Sequence, residues 1–102
     1  MALANTAVAA SNTDIYTSSG ETCVVTMYFC NYSGVTRTLT LYAVPSGGSA
    51  DNTSIIVKDV EIIASDTYTL STDRLILANG DKITAIADAG SAITATVSYA
   101  SV

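Results

Sequence analysis

Along most of this chain apolar and polar residues alternate with period two, the pattern of strands that turn one face to a core and the other to water. The alternation predicts strands over DIYT (14–17), TCVVTMYFCN (22–31), TRTLTLYAV (36–44), IIVKDVEI (55–62), DTYTLS (66–71), RLIL (74–77), KITAIAD (82–88) and AITATVSYASV (92–102). Turn-forming Gly, Asn, Asp and Ser separate them, in SSGE, YSGV, ANGD, AGS and the long loop PSGGSADNTS (45–54). In the strongest strand, period two places Cys23, Val25, Met27 and Phe29 on one face and Val24, Thr26, Tyr28 and Cys30 on the other. Leu39, Leu41 and Ala43, then Ile83, Ala85 and Ala87, then Ile93, Ala95, Val97 and Tyr99 form further one-sided sets. Seven to eight short strands and no sustained 3.6-residue period predict an all-β fold, an antiparallel β-sandwich or jelly roll. Residues 1–13 are read as an N-terminal arm, irregular apart from at most a turn of helix, and residues 14–102 as a single β-sandwich domain.

Composition sharpens this picture. The chain has 102 residues, enough for one domain and one core. Charged residues make up only 13%, with no His and no Trp, against roughly 25% charged in an average soluble protein. Solubility of a free monomer leans on charge, so a surface built from Ser, Thr, Ala and Tyr points to burial in an assembly. The net charge is −5, and the four basic residues, Arg37, Lys58, Arg74 and Lys82, are scattered. They form no phosphate-neutralising patch, and an acidic chain is repelled by anionic lipid, so neither nucleic acid nor membrane is an expected partner. The Ala-rich start has no basic n-region, and no apolar run approaches the ~18 residues of a membrane span. No Sec-type address or anchor is therefore expected.

Candidate chemistry is sparse. Cys23 and Cys30 lie in one predicted strand, where Cα atoms seven residues apart stand roughly 23 Å from each other, against the ~7 Å limit of a disulfide. Their odd spacing also predicts opposite faces. No His is present to complete a zinc set or activate a thiolate, so both read as small apolar side chains, an intermolecular bond being the alternative. Asp59 and Glu61 share a predicted strand face about 7 Å apart, a separation glycosidases use, but they also fit a solvated sheet face beside Lys58. SADNTS and NGD offer Asp51, Asn52 and Asp81 as calcium ligands without a spaced calcium-loop motif, and turn formation is the simpler reading. NYS at Asn31 and NTS at Asn52 fit the N-glycosylation pattern. Tyr28 and Tyr42 alternate with Thr opposite the expected core and suit an interface or a sugar platform. The candidate contacts are thus Tyr28, Tyr42 and, in the long loop, Pro45, Ser46, Asp51 and Asn52. No catalytic residue, metal or cofactor is expected.

DIYTSSGETCVVTMYFCNYSG, TLTLYAVPSGGSADN, SDTYTLSTDRLILANGDKI and ITATVSYASV together cover nearly the whole chain. In their order and wording, LYAVPSGG above all, they resemble a family of small β-sandwich structural proteins of tailed bacteriophages and prophages. The resemblance implies a virion component: a head decoration (cement) protein, a neck or tail protein, or part of a fibre, without enzymatic activity. It implies as partners other copies of the chain, in a trimer, and virion proteins such as the major capsid or tail and neck proteins. It also implies a location in the virion, after assembly in the host cytoplasm and release by lysis. The first thirteen residues, Ala- and Asn-rich and too polar to core a domain alone, are expected to form an arm that reaches a neighbour, so deleting residues 2–13 should weaken incorporation into particles without unfolding the domain. The alternative is a carbohydrate-binding module on the particle surface, aiding host attachment.

Overall fold

The computed structural model describes residues 2–51, 53–70, 75–90 and 92–101. Among these residues nine strands run in order: β1 (Ala2–Val8), β2 (Thr13–Thr17), β3 (Thr22–Asn31), β4 (Arg37–Val44), β5 (Ile55–Ile62), β6 (Thr67–Leu70), β7 (Leu75–Leu77), β8 (Lys82–Ala87) and β9 (Ile93–Ser101). They form two antiparallel sheets. One has the order β1-β9-β3-β6, with β7 also paired to β3, and the other the order β2-β8-β4-β5. Strands β6 and β7 pair successive halves of β3, Met27–Cys30 and Thr22–Val24, so they act as one partner strand in two pieces.

The pairing partners nest. Strand β1 pairs β9, β2 pairs β8, β3 pairs β6 and β7, and β4 pairs β5. This is one long antiparallel hairpin folded across two sheets, the wiring of a jelly roll. The fold is therefore the all-β sandwich that the alternation predicts. Position 74 of the RLIL strand and the ends of the expected strands at 71 and 102 lie outside the described residues.

The two inner faces meet in one core. Val24, Met27, Phe29, Ile93, Ala95 and Val97 from the five-stranded sheet face Leu39, Leu41, Ile83 and Ala85 from the four-stranded one, all essentially inaccessible. Each large side chain buried this way contributes roughly 1.5–3 kcal/mol. The partly exposed ion pairs Arg37–Asp88 at 3.9 Å and Lys82–Asp14 at 3.5 Å are close to the kind that contributes about 0–1 kcal/mol. The core, rather than charge pairing, holds the sheets together. Aromatic contacts close its ends: the Tyr16 and Tyr99 rings lie 4.5 Å apart, and those of Phe29 and Tyr68 6.4 Å apart. The Tyr16 hydroxyl donates to Thr22 Oγ1 at 3.0 Å and so stays bonded inside the sandwich.

Two expectations are corrected. Residues 2–8 of the expected irregular arm form β1, in unbroken register with β9, and Val8 is fully buried in the core. Strand β3 contains a β-bulge between Val24 and Thr26. An extra residue on one strand shifts the side-chain parity beyond it. Thr22 and Val24 point inward on one side of the bulge, and Met27, Phe29 and Asn31 on the other. The strict alternation that put Cys23 with Met27 and Val24 with Tyr28 therefore fails.

Candidate functional site

The bulge decides how the cysteines lie. Counted along β3 with one inserted residue, Cys23 and Cys30 both fall on the outer face of the five-stranded sheet, each half-buried and free. The expected opposite faces are thus corrected. They stand at opposite ends of the strand, opposite Ala100 and Thr94 of β9, which leaves no intrachain bridge.

That outer face is built from aligned rows. Asn5, Thr96, Tyr28 and Thr69 lie side by side across β1, β9, β3 and β6. Ala7, Thr94, Cys30 and Thr67 form the next row, and Leu3, Ser98 and Thr26 the row on the other side. Tyr28 is 44% exposed at the centre, and Thr96 Oγ1 donates to Asn5 Oδ1 at 3.0 Å. No residue in the five strands of this sheet is charged. Every charged residue that lies in a described strand belongs to the other sheet: Asp14, Arg37, Lys58, Asp59, Glu61 and Lys82. Among the described strands, charge is thus confined to one of the two sheets.

Tyr42 lies on the charged side, half-buried on β4 opposite Thr84 of β8. Tyr28 and Tyr42 therefore sit in different sheets and form no common platform. Pro45 and Ser46 begin the long loop at the end of β4, and Asp81 anchors them. Its Oδ1 accepts the Ser46 N–H at 2.8 Å, and its Oδ2 accepts the Ala78 N–H at 2.9 Å. Gly80, at φ +89°, stands so close that a Cβ there would lie 2.6 Å from Ser46 Oγ. Asp51 closes the far end of the loop. Its Oδ1 accepts both the Thr53 hydroxyl at 2.5 Å and the Thr53 N–H at 2.9 Å. The Thr53 hydroxyl, and then its N–H, hold the Asp51 carboxyl below the usual carboxylate value. Asn52 lies outside the described residues. Both carboxylates considered for calcium accept hydrogen bonds from neighbouring backbone and hydroxyl groups, and among the described residues no group of three His, Cys, Asp or Glu side chains converges.

Asp59, at φ +50°, lies in the first of two register shifts in the β4–β5 ladder. Its N–H donates to Thr40 Oγ1 at 3.1 Å, and that hydroxyl donates to Asp59 Oδ1 at 3.3 Å. The carboxylate holds this stretch of β5 against β4, on an exposed sheet rather than in a cleft. Asn31, the first glycosylation candidate, is fully buried and bonded on every polar atom of its side chain. An apolar cleft of about 190 Å³ opens between the sheets, walled by Val24, Val25, Met27, Ile56, Val57, Leu70 and Leu75. Among the described residues its lining is apolar, with no titratable side chain to orient a reacting ligand.

No family model, curated protein or solved structure matches this chain.

Proposed function

We propose that this chain is a structural subunit of a bacteriophage particle, a capsid decoration protein or a head- or tail-exterior protein. It acts through contact with shell or tail proteins and with copies of itself. The observation that carries the reading is the uncharged outer face of the five-stranded sheet on a chain of net charge −5. A shell protein can cover Thr, Ser, Ala and Tyr side chains without desolvating a charge, the costly step in forming an interface. The charged opposite sheet would then face solvent and keep the particle surface hydrated. A subunit that binds only the assembled shell stabilises that state by mass action. The jelly-roll wiring and the resemblance through LYAVPSGG add support by analogy. The reading assigns no catalytic residue.

The test is binding to purified particles from a lysate that carries this gene. Wild-type chain is expected to copurify at a fixed copy number. Thr94→Glu and Thr96→Glu, on the uncharged face, should lower occupancy by at least about tenfold, on the order of the cost of one desolvated charge. Lys58→Ala, on the charged face, should bind as wild type. A chain absent from the particles, or face variants that bind normally, would overturn the reading.

A further inference from the structure

The four sheet edges are not alike. An edge strand exposes unpaired N–H and C=O groups, and folded proteins blunt such edges with short strands, bulges and charges. Three edges here carry these devices. Strand β5 has two register shifts, one at Asp59, and carries the charges of Lys58, Asp59 and Glu61. Strand β2 has five residues, a bulge between Asp14 and Tyr16, and the Asp14 carboxylate. The edge formed by β6 and β7 is split into pieces of four and three residues.

Strand β1 carries none of them. Its seven residues, ALANTAV, run in unbroken register with β9 and contain no charge, no proline and no glycine. Leu3 is 65% exposed, and Ala4 and Thr6, which point toward the other sheet, stay half-exposed. Among the described residues no strand pairs with this edge.

We infer that β1 pairs antiparallel with β1 of a second copy, about a twofold axis at Asn5, joining the two five-stranded sheets into one. The sequence is self-complementary in that register. Asn5 meets the partner's Asn5, and its amide can both donate and accept. Leu3 meets the partner's Ala7 on the outer face, and Ala4 meets the partner's Thr6 on the inner one. No charge enters the contact, although each copy carries −5, because the strand charges lie in the other sheet. Shifting the register by one residue would set inward-facing side chains against outward-facing ones, so the alternation of β1 selects this pairing parity. A twofold contact uses the same patch on both copies, as a self-complementary strand requires. The inference stands whether or not the chain is a particle subunit.

Light scattering across a concentration series tests it. Wild-type chain is expected to reach twice the 10.5 kDa chain mass. Asn5→Lys and Asn5→Glu each place like charges directly across the axis, and each alone should weaken the dimer on the order of tenfold or more. An equimolar mixture of the two should recover it as a heterodimer, which a folding defect cannot mimic. As a measurement needing no variant, amide exchange of residues 2–8 in the wild type should slow as concentration rises through the transition. A wild-type monomer at every concentration, a trimer, a dimer indifferent to the Asn5 charges, or β1 exchange independent of concentration would each overturn the proposal.

Discussion

Asn31 Nδ2, on β3 of one sheet, donates to the carbonyl oxygen of Ile62, on β5 of the other, at 2.8 Å. The same nitrogen donates to Val35 O at 2.8 Å, and Oδ1 accepts the Ser33 N–H at 3.0 Å and the Ser33 hydroxyl at 2.6 Å. A primary amide has two donors and two acceptor lone pairs, and here all are used inside the fold. The side chain ties the sheets together and shapes the turn that carries the chain from β3 to β4.

Asn31→Ala should therefore destabilise the domain by about 2–4 kcal/mol, since it strands the buried Ile62 carbonyl rather than removing a surface bond. Asn31→Asp keeps the shape but, when ionised, supplies no donor for Ile62 O and Val35 O, so it should be less stable at pH 7 than at pH 4. Urea denaturation of both variants at the two pH values checks the pair. An Asn31→Ala loss below about 0.5 kcal/mol would mean that water replaces the amide.

Removal of residues 2–8 is the second case. The sequence reading has them as a dispensable arm. The structure makes them the strand that covers β9, with Val8 in the core beside Ile15 and Ile93. Deletion should unfold the chain or leave an aggregating β9 edge. Val8→Ala alone should cost about 2 kcal/mol, the lower end of what large-to-small core substitutions cost. A cooperative melt of the truncated chain near the wild-type temperature would contradict this.

How much was legible follows from the same residues. Strands β3 and β5 begin and end where the alternation places them, because Val, Ile, Phe and Tyr contrast sharply with their polar neighbours. Strand β1 is not legible because ALANTAV mixes polar and apolar residues on both faces, Leu3, Asn5 and Ala7 on one and Ala4, Thr6 and Val8 on the other, a contrast too weak to register as a period. The bulge at Val25 left no mark either: period two counts residues and cannot see one inserted in the ladder, so the faces of Cys23 and Val24 came out reversed. Sheet membership is also non-local. The segregation of charge into one sheet is written in the strands, but it appears only once β1, β9, β3, β6 and β7 are known to be neighbours. Asn31 shows the limit for polar residues, since NYS reads as a surface sequon until burial is known.

The two thiols give a third prediction. Cys23 and Cys30 share a face but sit at opposite ends of β3. Reductant should leave the melting temperature of the protein unchanged. The Cys23→Ser, Cys30→Ser double variant should stay within about 1 kcal/mol of wild type, since neither thiol is in the core. Both thiols should react with a maleimide under native conditions. A reductant-dependent shift in melting would point to a bridge between chains.

The last prediction concerns acid. Asp51 is held below the ordinary carboxylate value chiefly by the Thr53 hydroxyl, then by the Thr53 N–H. A carboxyl whose folded pKa is depressed contributes stability that is fully present above its unfolded pKa and is lost as pH falls through the folded value. The closure of the long loop should thus be intact at neutral pH and loosen only in acid more extreme than that which protonates a free aspartate. The group is fully exposed, so the effect is local to the turn rather than a global melt. An NMR titration that follows the Asp51 carboxyl carbon and the Thr53 amide together reads it directly. Both should move with one midpoint below that of an unstructured Asp, and Thr53→Val, which removes the hydroxyl but keeps the N–H, should raise that midpoint most of the way back. If the Thr53→Val midpoint does not move, the backbone N–H and not the hydroxyl holds the charge.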